Sequence, residues 1–128
     1  MDIFGRTPKE LFVHAAKAML DVMIQDSGSD ETHAESQEKT FTIEGNDQED
    51  LLVNFLREVL YLFNGQGWVV GHCIIIECGT KKLVAQVMGE PFNKKKHSIK
   101  TEIKAVTYSG LSIEKTKPGW QAKVVFDV

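Results

Sequence analysis

The sequence of 128 residues has two cysteines, three prolines and no long apolar run. Cys73 and Cys78 make no zinc pattern. Their odd spacing on an expected strand would point them to opposite faces, so no mutual disulfide is expected, and two reduced, partly buried thiols suit a cytosolic chain. The apolar pieces Cys73-Ile-Ile-Ile76 and Val124-Val-Phe126 are strand-sized, far below the ~20 residues that span a bilayer. Met1-Asp-Ile-Phe-Gly-Arg6 lacks the basic start and apolar stretch of a signal peptide. Export and membrane anchoring are therefore not expected, and a cytoplasmic location is. Catalytic signatures are missing too: there is no Gly-x-Ser-x-Gly, Walker-type loop, Gly-x-Gly-x-x-Gly or His-x-x-x-His. No catalytic residue is assigned.

What is present is ordinary for a single globular domain of this length: 42% hydrophobic and 26% charged residues. The net charge of −3 conceals an asymmetry. Residues 1–64 carry five basic groups against thirteen acidic ones, whereas residues 65–128 carry ten lysines against five acids. An acidic sum argues against a general nucleic-acid binder, because neutralising phosphates needs a concentrated basic face.

Thr7-Pro-Lys-Glu10 reads as a helix start, with a cap, proline at the first turn and a glutamate that closes a capping box. Leu11, Phe12, Ala15, Ala16, Met19, Leu20 and Met23 then repeat at helical spacing. His14, beside that stripe, reads as a partly buried structural histidine. Residues 25–37 are polar and aperiodic, so a solvated loop is expected. Its acids fail the calcium-loop order, with Gly28 and Glu31 at positions that need other residues. Lys39–Glu44 alternates like a half-buried strand. Asn46 or Asp47 then caps a second helix, whose apolar positions are Leu51, Leu52, Phe55, Leu56, Val59, Leu60 and Phe63, and Asn64-Gly65 stops it. The second half reads as strands at Trp68–Glu77, Lys82–Met88, Ser98–Ser109, Leu111–Lys115 and Gln121–Val128. The order of strand, helix, strand, helix and a run of strands predicts an α+β fold, a mixed or antiparallel sheet with two helices on one face.

Two stretches could carry chemistry. A strand from Ser98 would place Ile99, Thr101, Ile103, Ala105 and Thr107 on one face and Lys100, Glu102, Lys104, Val106 and Tyr108 on the other. His97, beside Lys94–Lys96, would stand at the entrance of that polar row, where a phosphate or acidic partner could dock. The chain also ends in Asp127-Val128, whose side-chain and terminal carboxylates are hard oxygen donors suited to a divalent cation. Two or three such oxygens leave the cation short of ligands, so another segment must contribute.

The segments Gly89-Glu-Pro-Phe92, His97 with Lys100-Thr-Glu-Ile-Lys-Ala-Val-Thr-Tyr108, Gly119-Trp120 and Phe126-Asp-Val128 closely resemble the archease family. Gly5–Phe12 and Leu51–Tyr61 fit as well, and the resemblance runs collinearly over nearly the whole chain. It implies a small cytosolic, non-catalytic accessory protein of the RtcB-type RNA ligase of tRNA splicing and RNA repair. Such a protein promotes guanylylation and multiple turnover of the ligase and meets RNA only indirectly. It further implies a divalent cation, Ca2+, held by Asp127 and Val128 together with an aspartate near the N-terminus. The polar row itself, His97, Lys100, Glu102 and Lys104, supplies the candidate partner contacts. Family members open with a strand and a His-Thr-Ala-Asp motif ahead of the part matching Asp2–Gly5. The present sequence starts after that point, so the first strand and one metal ligand are expected to be missing, with weaker metal affinity and lower stability. The alternatives are a small metal-dependent hydrolase and a chaperone-like or RNA-binding module.

Overall fold

A computed structural model describes residues 1–26, 37–95 and 97–128. Thr7 caps the first helix, α1 (Pro8–Met23), by accepting the Glu10 N–H at 3.2 Å, while Glu10 Oε1 accepts the Arg6 N–H at 3.3 Å. The expected stripe turns inward: Leu11, Phe12, Ala15, Ala16, Met19 and Met23 are buried and Leu20 is half-buried. His14 is exposed rather than partly buried, and its Nδ1 lies 2.6 Å from the Phe4 carbonyl. Of the two candidate caps for the second helix, α2 (Gln48–Asn64), Asp47 is the one used, accepting the Asp50 N–H at 2.8 Å. Of the predicted positions all are buried except Phe63, which is half-buried, and Val53 and Leu62 are buried in addition, because α2 packs against strands on more than one side. Phe55 stacks between Phe12 and Phe41, with ring centroids 6.0 and 6.4 Å away.

The strands are β1 (Asp2–Gly5), β2 (Ile24–Asp26), β3 (Gln37–Glu44), β4 (Trp68–Cys78), β5 (Lys82–Pro91), β6 (His97–Ile99), β7 (Ala105–Lys115) and β8 (Trp120–Asp127). They form sheets ordered β1-β8-β7, β2-β6 and β3-β5-β4, and every pairing is antiparallel. Helix α1 rests on β1, β2, β4 and β8, and α2 on β3, β4 and β7, giving the expected α+β architecture. The buried side chains make one apolar cluster shared by both helices and the inner sheet faces. None of the described helices is long and apolar enough to cross a membrane.

Several expectations are corrected. Gln25 and Asp26 extend from α1 into β2, and Gln37 begins β3, so the expected loop is shorter at both ends. Its remainder, including the calcium-loop positions, lies outside the described residues, as does Lys96. The expected strand Ser98–Ser109 is broken: β6 ends at Ile99 and β7 begins at Ala105. From there β7 runs on through the expected break at Ser109-Gly110, because a bulge keeps it paired. Thr107 faces Val125 and Ser112 faces Lys123, so residues 108–111 all stand opposite Val124. Gly110 supplies the left-handed φ of +72° that this excursion needs.

The cysteines are corrected as well. Cys73 pairs across from Val87 and Cys78 from Leu83, both fully buried, so both thiols face inward. A bulge between Ile75 and Glu77 inserts one residue and resets the alternation. Both thiols remain free.

Candidate functional site

The link between β6 and β7 carries Lys100, Glu102 and Lys104, all exposed. It is not a strand, and its backbone is held by three separate elements. The Lys100 and Thr101 N–H groups both donate to the Met23 carbonyl at the end of α1, at 2.8 and 3.4 Å. The Ile103 side chain is fully buried, and its carbonyl accepts from Asn64 Nδ2 of α2 at 3.0 Å. Lys104 N–H donates to the Asp127 carbonyl at 2.7 Å. The predicted alternation fails here, because Ile99 is 56% exposed and Val106 is buried. Lys100, Glu102 and Lys104 nevertheless point outward, because Ile103 turns inward between the last two.

His97 does not share their surface. The ring is only 2% exposed, which removes it from the candidate contact row, since a partner cannot reach it. Its Nδ1 accepts the Asn93 N–H at 3.0 Å, and its Nε2 lies 3.1 Å from Glu90 Oε1. Phe92 packs on it with centroids 5.7 Å apart, and Phe92 in turn meets Phe63 of α2 at 5.8 Å. Gly89, which precedes Glu90, admits no side chain, because a Cβ there would collide with the Val69 carbonyl.

Asp127 and Val128 are exposed at the end of β8, with Asp127 opposite Ala105 of β7. On its other side β8 is paired with β1, where Asp2 faces Lys123, and Met1 exchanges backbone bonds with Val124. Asp127 lies four residue steps along the strand from Lys123, about 13 Å at antiparallel rise, so Asp2 cannot join Asp127 around one ion. Among the described residues no group of three or more His, Cys, Asp or Glu side chains could hold a metal. A calcium ion takes six to eight oxygens. The donors described therefore do not fit a closed cation site: Asp127 and the terminal carboxylate of Val128 supply one side of a coordination sphere.

A polar cluster that the sequence reading did not single out stands at the β7 bulge. Tyr108 O–H donates to Asp50 Oδ1 at 2.5 Å, and the Arg57 guanidinium lies over the Tyr108 ring at 4.9 Å while donating to the Val106 carbonyl at 3.2–3.3 Å. The phenol holds the Asp50 carboxyl below the usual carboxylate range, aided by the Asn46 N–H and Arg57, and Asp50 pushes the Tyr108 hydroxyl up. Glu49 Oε2 accepts the Ile113 N–H at 3.1 Å, so the first turn of α2 clamps the bulge at two points. Its own carboxylates occupy amides of that turn, which leaves no invitation to an anion.

The sequence pattern of the Archease protein family matches residues 1–128. The chain belongs to the archease family. It is 40% identical over 131 residues to protein archease of Methanosarcina acetivorans, covering 98% of this chain and 86% of that one. It is 35% identical over 129 residues to protein archease of Pyrococcus furiosus, with 98% and 88% covered. Among solved structures it resembles an archease of Thermotoga maritima, described as a possible chaperone, with a TM-score of 0.70 and 25% identity over 100% of this chain and 88% of that one. It also resembles protein 1598 of Methanobacterium thermoautotrophicum, with a TM-score of 0.65, 28% identity and coverages of 94% and 85%.

In this archease the segment from Lys100 to Lys104 and the chain end are neighbours, joined through the bond between Lys104 and Asp127. His97 sits apart, behind Phe92. The Asp50–Tyr108–Arg57 cluster carries no motif in sequence; its one signal was Ser109-Gly110, a turn pair within an otherwise strand-like run. Chemically, the joined surface sets the ammonium groups of Lys100 and Lys104 beside the carboxylates of Glu102 and Asp127, on a backbone held by hydrogen bonds.

Proposed function

We propose that this archease is a non-catalytic accessory protein of an RtcB-type RNA ligase. It promotes guanylylation and repeated turnover of the ligase, touches RNA only through it, and works in the cytoplasm. Family membership over the whole chain supports the reading, and the single structural observation that carries it is the pinned, exposed Lys100–Lys104 segment beside the C-terminus. Guanylylation gathers negative phosphates, so charge neutralisation and positioning govern its barrier. The backbone that carries the two lysines is already held, so less ordering remains to be done on contact. The C-terminal carboxylates lie on the same surface, where they orient the contact. No step is assigned to a metal, because the described donors do not complete a site.

The test is the rate of guanylylation of a cognate ligase with and without this chain. Acceleration at substoichiometric chain is the expected result; an unchanged rate and an unchanged turnover number would refute the proposal. A second reading is a chaperone-like role, favoured by the description of the Thermotoga relative as a possible chaperone. It predicts suppression of aggregation of unrelated denatured proteins, which the ligase reading does not.

A further inference from the structure

We propose that His97 is a positioning residue: its singly protonated ring latches the turn at Lys94 and Lys95, and these two lysines hold their contact geometry only while that latch is closed. The role in contact geometry rests on the ligase reading above, whereas the latch itself stands on the geometry of the turn.

Three bonds close on one residue. The Asn93 N–H donates to His97 Nδ1 at 3.0 Å, the Asn93 carbonyl accepts the His97 N–H at 2.7 Å, and Asn93 Oδ1 accepts the Lys95 N–H at 3.0 Å. A ring nitrogen that accepts an N–H carries no proton, so the neutral ring has its hydrogen on Nε2, the atom facing Glu90 at 3.1 Å. His14 is the contrast within the same chain: its Nδ1 faces a carbonyl oxygen, the Phe4 oxygen, and takes the donor role in that contact.

A second proton on His97 would have to go to Nδ1. There it would meet the Asn93 N–H head on, donor against donor. The ring is only 2% exposed and lies against Phe92, so it cannot swing into water to escape. The bond that yields is the one to Asn93, and with it the turn that carries Lys94 and Lys95. Among the described side chains, the charged groups placed with the ring are Glu90 on β5 and Lys94 and Lys95 in the turn itself, while the backbone of residue 26 pairs with His97 across β2 and β6. From α2 the neighbour is apolar, through Phe63 against Phe92. Lys100 follows β6 directly, and its own N–H is held by the Met23 carbonyl at the end of α1.

The first experiment is nitrogen NMR of the His97 ring and amide exchange of the whole chain alone, from pH 8 to pH 5. The expected result is a hydrogen on Nε2 at pH 8. As Nδ1 gains its proton, protection of the Asn93 and Lys95 amides should fall about tenfold, while core amides such as Leu56 stay protected. A hydrogen on Nδ1 at pH 8, or a ring that protonates without loosening Asn93, overturns the latch. In His97→Asn the amide oxygen takes the place of Nδ1 and does not titrate, so the Asn93 amide should stay protected at both pH values. The wild-type measurement decides the matter even where that variant does not fold.

The second experiment follows guanylylation of the ligase between pH 7.5 and 6 with the wild-type chain and with His97→Asn. Acceleration by the wild type should fall wherever the Asn93 amide loses protection in the first experiment, and acceleration by His97→Asn should show no such fall. Equal acceleration by both across the range removes the positioning role while leaving the latch. No acceleration by either at any pH is a failure of the ligase reading, and the latch is then judged by the amides.

Discussion

The backbone N–H of Lys104 donates to the Asp127 carbonyl at 2.7 Å, which ties the exposed basic segment to the last strand of the chain. The two stretches that carry the family resemblance near the C-terminus are therefore one surface. Because the tie is made by backbone, side chains on that surface can change without disturbing it.

Replacing Lys100 and Lys104 together by Gln should slow ligase guanylylation and leave the fold intact. Both side chains are exposed, so stability should change by no more than about 0.5 kcal/mol. Initial rates and a urea melt of the same protein check the two halves. An unchanged rate removes these lysines from the mechanism.

The Asp50–Tyr108 bond makes a prediction at each end of the pH scale. Asp50 is held below its usual 3.8, first by the Tyr108 hydroxyl. Its contribution to stability is therefore complete above 3.8 and is lost as pH falls through the lower folded value. Tyr108 is raised above its usual 10.0, chiefly by the same bond, so its contribution is complete below 10 and is lost as pH rises through the higher folded value. In Tyr108→Phe the Asp50 carboxyl should titrate closer to 3.8 while staying below it, because the Asn46 N–H remains; carbon NMR of the carboxyl checks this.

Burial pushes the Cys73 thiol up to about 11 and raises Cys78 as well, where Lys9 opposes the shift. At pH 8 the native Cys73 thiolate is then about a hundredfold scarcer than that of a thiol at the usual 9.0. Iodoacetamide should modify Cys78 first and Cys73 only slowly, and denaturant should equalise them, as peptide mapping will report. Modification of Cys73 at the rate of a free thiol would contradict its inward placement.

Calcium should add little to the described residues. Two carboxylates at one strand end correspond to a Kd no tighter than about 1 mM, so 1 mM calcium adds at most about 0.4 kcal/mol. Thermal melts with calcium and with chelator, on the wild type and on Asp127→Asn, measure this. A larger shift that Asp127→Asn abolishes would show a completed site.

Much of the fold was legible because its signals are local. The bonds of Thr7 and Glu10 at the start of α1, and the apolar repeats of α1 and α2, follow from residues three or four apart along one chain segment. Expected strands at Trp68, Lys82 and Gln121 start within a residue of β4, β5 and β8. What failed depended on partners far away. Nothing near Ser98 announces that Met23, Asn64 and Asp127 will take up its backbone groups one after another and stop it from continuing as a strand.

The chain by itself determined its helices, most of its strands and its α+β class, because periodicity and capping act over a single turn or pleat. Only the tertiary structure decided that Cys73 and Cys78 share a face, that Tyr108 leaves the sheet to meet Asp50, and that His97 lies inside, its ring closed on Asn93, rather than out among the lysines. Each of these turns on a bulge or a strand end, where one added or unpaired residue reverses every side chain that follows.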